Sequence, residues 1–303
     1  GHLSAAQGAW ATAVARDPSN VTALVENAVL LTLRRRYDEA IALARRATEL
    51  APEDPRSYTA LAMALDWSGK ADEAAQAALT ATNLQADYVA ALAVLAEAYA
   101  ELGRWDEAKA TARQAADLAP ASPQAQRALG MAREVQGDTL GALSAYRAAA
   151  DRAPRDGRYL VDIGRVHRLR GEVDAARQAF DQASALDPGD PVPYDSLGLL
   201  AYEAGEYEAA AARFQQAVDA EARYGPGYGH LGWTYYARRK WPEAVAQFRR
   251  AVEEGARNPE YYYELGLALI YQGDCEAGKP WLERGLELDP SAQAATDGLA
   301  LCE

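Results

Sequence analysis

Bulky apolar residues are scarce: phenylalanine occurs three times and methionine twice in 303 residues. That shortage excludes a globule built around packed rings and long aliphatics, and alanine supplies much of a hydrophobic share of 50%. Histidine occurs only at His2, His167 and His230, and cysteine only at Cys275 and Cys302. None stands at the short spacing to another ligand that a metal centre uses, so neither metal nor cofactor is expected. Gly225-Pro226-Gly227 lacks the Lys and Ser/Thr of a phosphate loop, and no nucleophile stands near a base. An enzyme is therefore not expected. Basic charge is short as well, with 31 Lys and Arg against 44 Asp and Glu and a net charge of −13. Nucleic acid is held through clustered Lys and Arg, so it is excluded as an expected partner. No uncharged run approaches the roughly 18 apolar residues of a membrane span, so direct membrane insertion is not expected. Gly1 and His2 read as a tag remnant.

What is present is a period. Prolines stand at Pro18, Pro52, Pro120, Pro154, Pro188 and Pro290, with gaps of 34 or its multiples, and Ala86, Ala222 and Ala256 fill the skipped sites. Gly69, Gly103, Gly137, Gly171, Gly205 and Gly273 keep the same step, with Arg35 and Arg239 as exceptions. A third series runs Ala6, Ala40, Ala74, Ala108, Ala142, Ala176, Ala210 and Ala244, then Gly278. Each series has a task. Glycine permits a left-handed turn between two helical stretches, small residues let antiparallel helices approach, and proline stops the second helix. Tyr228, Leu231, Gly232 and Tyr235 fall at i, i+3, i+4 and i+7, one face of a helix. The unit reads helix, turn, helix, eight times.

Tyr194, Leu197, Gly198, Gly205, Ala210, Phe214 and Ala217, with Ala201 at a site usually held by tyrosine, resemble the tetratricopeptide repeat. The resemblance implies an all-α, right-handed superhelical solenoid. Repeats would span 21–54, 55–88, 89–122, 123–156, 157–190, 191–224, 225–258 and 259–292. Residues 3–20 then form a truncated repeat or N-terminal cap helix, and 293–303 a C-terminal cap helix. Such arrays are stabilised by burial between neighbours.

The resemblance also implies that the first helices line a concave groove. Inward positions carried onto this chain include His230 and Glu264, an aromatic strip of Tyr202, Trp233, Tyr236, Tyr263 and Tyr271, and the arginines Arg127, Arg158, Arg165 and Arg168. Aromatic and Arg side chains dominate interface energies, and arginine grips carboxylates in pairs of hydrogen bonds. Against this, the rings can serve packing between repeats, and the arginines can pair internally with Glu134 and Asp162. The Lys and Asn of the family's clamp for a C-terminal carboxylate are missing. Arg133, His167 and Gln126 put polar groups where repeats elsewhere are apolar, either a tuned binding spot or a softer joint.

The expected function is a protein-interaction scaffold or adaptor holding a peptide or partner segment in the groove. The alternatives are a self-assembling head-to-tail solenoid and a regulatory arm of a larger protein. Stacking would bring Cys275 and Cys302 to one edge, where they form a disulfide or remain two separate thiols. A bridge would favour an exported, periplasmic or outward-facing location over the cytoplasm. Lysine is confined to Lys70, Lys109, Lys240 and Lys279, an arginine bias that suggests a GC-rich bacterial genome.

Overall fold

A computed structural model describes residues 2–255 and 258–302. Gly1, Ala256, Arg257 and Glu303 lie outside the described residues, as do the side chains of residues 2–6, His2 and Ala6 among them. Among the described residues there are eighteen α-helices and no strand. They form two compact units, Gly1–Pro154 and Arg155–Glu303. The first holds α1 (His2–Arg16), α2 (Val21–Leu33), α3 (Tyr37–Leu50), α4 (Pro55–Trp67), α5 (Ala71–Leu84), α6 (Val89–Glu101), α7 (Trp105–Leu118), α8 (Pro123–Val135) and α9 (Thr139–Arg152). The second holds α10 (Arg158–Leu169), α11 (Val173–Leu186), α12 (Pro191–Glu203), α13 (Tyr207–Ala220), α14 (Gly225–Ala237), α15 (Trp241–Glu253), α16 (Pro259–Tyr271), α17 (Cys275–Leu288) and α18 (Gln293–Ala300). From α2 onward, each even-numbered helix packs against the odd-numbered helix that follows it. Within each unit the even-numbered helices also touch one another in series, which lays their outer rows side by side.

Local chemistry starts and stops these helices. Asn20, Asp54, Ser122, Asp190 and Asn258 cap even-numbered helices by accepting a backbone N–H of the first turn, each cap worth about 1 kcal/mol. Pro55, Pro123, Pro191 and Pro259 open four of them, where the missing amide costs nothing. Six series glycines close the even-numbered helices with φ between 70° and 89°. At Gly69, for example, the Lys70 N–H reaches back to the Leu65 carbonyl at 2.9 Å.

The two arginines in that series take the same turn without a glycine's freedom. Arg35 has φ 59° and Arg239 φ 56°, and the Lys240 N–H still bonds the Tyr235 carbonyl at 2.9 Å. A left-handed non-glycine residue costs roughly 1–2 kcal/mol. Replacing Arg239 by glycine should therefore raise stability by about 1 kcal/mol, net of the entropy glycine adds to the unfolded chain. Thermal unfolding of Arg239→Gly checks this; an unchanged midpoint would mean the arginine's own contacts offset the strain.

The core is a seam of small residues. Ala40, Ala74, Ala108, Ala142, Ala176, Ala210 and Ala244 are each 2% exposed or less, and Gly278 takes the eighth place. Facing them across each helix pair is a second matched set. Ala28 shares a cluster with Ala44, Ala62 with Ala78, and Ala96 with Ala112. From α8 onward the pair changes to glycine against a large side chain: Gly130 with Tyr146, Gly164 with Phe180, Gly198 with Phe214, Gly232 with Phe248, and Gly266 with Leu282. A Cβ on Gly130, Gly164, Gly198 or Gly232 would stand 2.5 Å from a ring carbon of its partner. The scarce phenylalanines thus all sit opposite glycines, at 1% exposure or less.

Cys275, at the start of α17, is joined by a disulfide to Cys302, just past α18, with their Cα atoms 5.7 Å apart. The eight-residue α18 is too short to persist alone in water. It is held by that bridge and by Ala295 and Gly298, which pack on Leu267 and Leu282. Closing a loop of this length stabilises by roughly 3 kcal/mol in the chain-entropy description.

Candidate binding surface

Three helices of the second unit carry the aromatic residues in question. Tyr202 lies near the end of α12, Trp233 and Tyr236 on α14, and Tyr263 and Tyr271 on α16. His230, Trp233 and Tyr236 follow one another at three-residue steps, so they share a face of α14. Tyr271 is 48% exposed, and the other four are half-buried. Tyr202 meets Tyr207 at 5.4 Å, and three of the other strip rings fall in two separate groups. Tyr236 lies 5.1 Å from Trp241 and 6.1 Å from Tyr271, while Trp241 and Tyr271 stack at 4.9 Å. Trp233 lies 4.9 Å from His230 and 5.3 Å from the buried Tyr261. Trp233 and Tyr236 also rest on the core around Phe248 and Leu265. The strip is therefore part packing and part surface, with its exposure concentrated at Tyr271.

Burial governs the titration of these groups. It pushes the Tyr236 phenol well above the usual tyrosine range, with the Glu264 charge adding to it. Tyr263 is raised to about 12, first by burial and then by Glu260 and Glu264. These phenols stay protonated at ordinary pH. Beside them, Asp195 of α12 is 5% exposed; its Oδ1 lies 2.6 Å from His230 Nδ1, and its Oδ2 accepts from the Tyr224 hydroxyl at 3.2 Å. A carboxylate acceptor places the proton on Nδ1, which fixes the imidazole between the Phe214 and Trp233 rings.

The arginines have carboxylate neighbours of their own. In the second unit Arg158 is paired with Asp156 at 2.5 Å, Arg165 with Asp162 at 3.0 Å, and Arg168 with Glu203 at 2.6 Å. In the first unit Arg127 is paired with Glu97 at 2.8 Å, and Glu134 accepts from the Tyr146 hydroxyl at 2.9 Å. The polar intrusions are likewise answered: Arg133 donates to the Gly141 carbonyl at 3.0 Å, Gln126 to the Pro120 carbonyl at 3.1 Å, and His167 Nδ1 meets Glu172 at 2.5 Å. Arg170 first, then His167, hold Glu172 down to about 2.

Asp195, Trp241 and Asp66 belong to these surfaces and were not singled out from sequence. Asp195 stands five places into its repeat, an inward row, so that signal was available. Trp241 opens α15, and only the turn of the chain brings it beside Tyr236. Asp66, on α4 of the first unit, is 4% exposed with Oδ1 unpartnered. Burial, then Glu97 and Glu101, push its carboxyl up to about 8 against the opposing charge of Arg127. Among the described residues no group of three or more His, Cys, Asp or Glu could hold a metal ion, and no helix is long and apolar enough to cross a membrane.

With this geometry in place, comparison with known proteins gives a consistent picture. The family model for the tetratricopeptide repeat matches residues 1–55, 127–191, 196–259 and 230–292. A model for anaphase-promoting complex, cyclosome, subunit 3 matches residues 34–115. Comparison with curated proteins gave no significant match. The fold is similar to that in a crystal structure of the APC/C hetero-tetramer Cut9–Hcn1, with TM-score 0.70 and 18% identity, covering 94% of this chain and 56% of that one. It is similar to the human IFIT1 dimer with m7Gppp-AAAA, with TM-score 0.65 and 17% identity over 88% of this chain and 72% of that one. Pseudomonas aeruginosa pilF gives TM-score 0.57 and 19% identity over 70% and 96%. The chain thus spans little more than half the length of the Cut9–Hcn1 chain it matches. At such identities the likeness is one of fold.

Proposed function

The chain belongs to the tetratricopeptide-repeat family, and we propose that it is a non-catalytic scaffold that holds an extended peptide or partner segment against the even-numbered helices of its second unit. The observation that carries this reading is the aromatic cluster of Tyr236 on α14, Trp241 on α15 and Tyr271 on α16, where Tyr271 is 48% exposed. A stacked pair that is largely formed before binding gives a partner apolar area with few rotors left to freeze. The arginines contribute less in this reading. An acidic partner would have to displace Asp156, Asp162 and Glu203 from Arg158, Arg165 and Arg168.

The test is affinity capture from the source organism, followed by titration of the captured partner. Trp233→Ala with Tyr236→Ala should weaken binding by about tenfold or more. Because both residues also touch the core, Tyr271→Ala serves as the companion, with an expected loss of several-fold and an unchanged melting temperature. Full binding by both variants ends this reading. The fold likeness to a structure of IFIT1 with m7Gppp-AAAA makes RNA the competing ligand, against which the net charge of −13 weighs. Filter binding with a capped oligonucleotide distinguishes the two, and sedimentation across a concentration series separates either from head-to-tail self-assembly.

A further inference from the structure

Glu264 sits on α16 within the aromatic surface, and its charge goes unanswered. Its Oε2 is shut off from solvent with no hydrogen-bond partner among the described residues. The Tyr236 hydroxyl pulls the carboxyl's titration down, and the charge of Glu260, one turn earlier on α16, pushes it up. Tyr202 of α12 and Tyr263 of α16 feel the Glu264 charge in turn. Tyr236 and Tyr263 pack against one core cluster around Leu267 and Leu282, and no described Lys or Arg forms an ion pair with Glu264. The contrast with the neighbouring charges is plain, since Arg158, Arg165 and Arg168 each have a carboxylate.

A carboxylate withdrawn from water without a cation is costly in its charged form. It either takes a proton or is met by a positive group. Ring faces attract cations, and more so where water is excluded, while the carboxylate supplies a charge-assisted hydrogen bond. Complementarity on this surface therefore runs toward a cation rather than an anion. We propose that Glu264, flanked by Tyr236 and Tyr263, receives an arginine or lysine side chain of the partner segment. This rests on the surface reading above and adds the partner's chemistry to it. Burial, and then Glu260, raise the empty site's carboxyl to about 7. An arriving cation would drive the proton off, and affinity would rise with pH through neutrality.

The probe is labelled hexa-arginine, with hexa-citrulline as its uncharged isostere, followed by fluorescence anisotropy at about 0.15 M salt, where distant surface charges are screened. Hexa-arginine should bind the full chain at least tenfold more tightly than hexa-citrulline. Glu264→Gln should weaken hexa-arginine by about tenfold. Glu243→Gln, which removes one exposed charge from α15, should change it less than twofold. The parent's affinity should climb between pH 6 and 8, and the climb should vanish in Glu264→Gln. Melting of Glu264→Gln at or above the parent's temperature shows that lost binding is not lost fold. Equal effects of the two glutamine variants, or an affinity indifferent to pH, overturn the proposal. If Trp233→Ala with Tyr236→Ala abolishes partner capture while Glu264→Gln changes neither capture nor hexa-arginine binding, the surface stands and the cation falls. If none of these changes affects capture, both readings fall.

Discussion

Gly198→Ala should cost about 2 kcal/mol of stability, a large effect for one added methyl group. Its Cβ would lie 2.5 Å from two ring carbons of Phe214, and Phe214 is fully buried. The ring cannot retreat into a close-packed seam, so strain follows. Phe214→Ala should cost more, about 3–5 kcal/mol, through lost burial and the cavity left behind. The double change recreates the alanine-against-alanine pairing of α2–α3, α4–α5 and α6–α7. It should therefore be less destabilised than Phe214→Ala alone, because the new methyl enters the vacated space. Urea unfolding of the four proteins, followed by circular dichroism, measures the coupling. Simple additivity of the two single effects would show that the pair is not a matched unit.

The second large effect concerns pH. Asp66 is held toward its protonated form, at about 8, by burial and by Glu97 and Glu101 from α6, with Arg127 of α8 opposing. Between the ordinary aspartate range and about 8, the folded chain thus binds more protons than the unfolded chain. Stability is fully present below that window and is lost as pH rises through it. Asp66→Asn keeps the shape without the titration. At pH 8 it should be more stable than the parent by several kcal/mol, up to roughly 5 from the full shift, and at pH 4 nearly equal to it. Glu264, raised to about 7, adds a smaller slope of the same sign, which the Asn variant retains. Thermal melts from pH 4 to 8.5 test this. A gap between the Asn variant and the parent that does not widen from pH 4 to 8.5 would contradict the assignment.

The helices, their turns and the alanine seam were legible because each depends on residues near in sequence. A glycine after an apolar stripe, an Asn or Asp before a proline, and an alanine at a close approach mean the same thing in every repeat. Even the exceptions were readable: Arg35 and Arg239 stood in the glycine series and took the glycine's dihedral. Charge pairing was harder. Arg165 with Asp162 lies within one helix and follows from three-residue spacing. Arg127 with Glu97 and Arg168 with Glu203 join residues on successive even-numbered helices, and which carboxylate a long side chain reaches depends on rotamers that spacing does not fix. The inward rows marked Glu264 as groove-facing, but the burial of its Oε2 arises only when neighbouring helices pack around α16. Asp66 stood in an inward row too, but an aspartate near a helix end ordinarily signals solvent, so its burial was not legible.

The change of partner across the seam, from alanine against alanine to glycine against a ring, bears on how such a gene can be rearranged. A first helix carrying alanine, spliced opposite a second helix carrying phenylalanine, would drive a methyl group into the ring; the reverse splice would leave a hole where a ring belongs. A whole hairpin keeps both halves of this seam when it is copied or moved, although Gly229, fitted against Tyr261 of the next hairpin, also ties neighbours together. The exchangeable module of this chain is therefore the pair, and a crossover that falls inside a hairpin is penalised by packing before any ligand is involved.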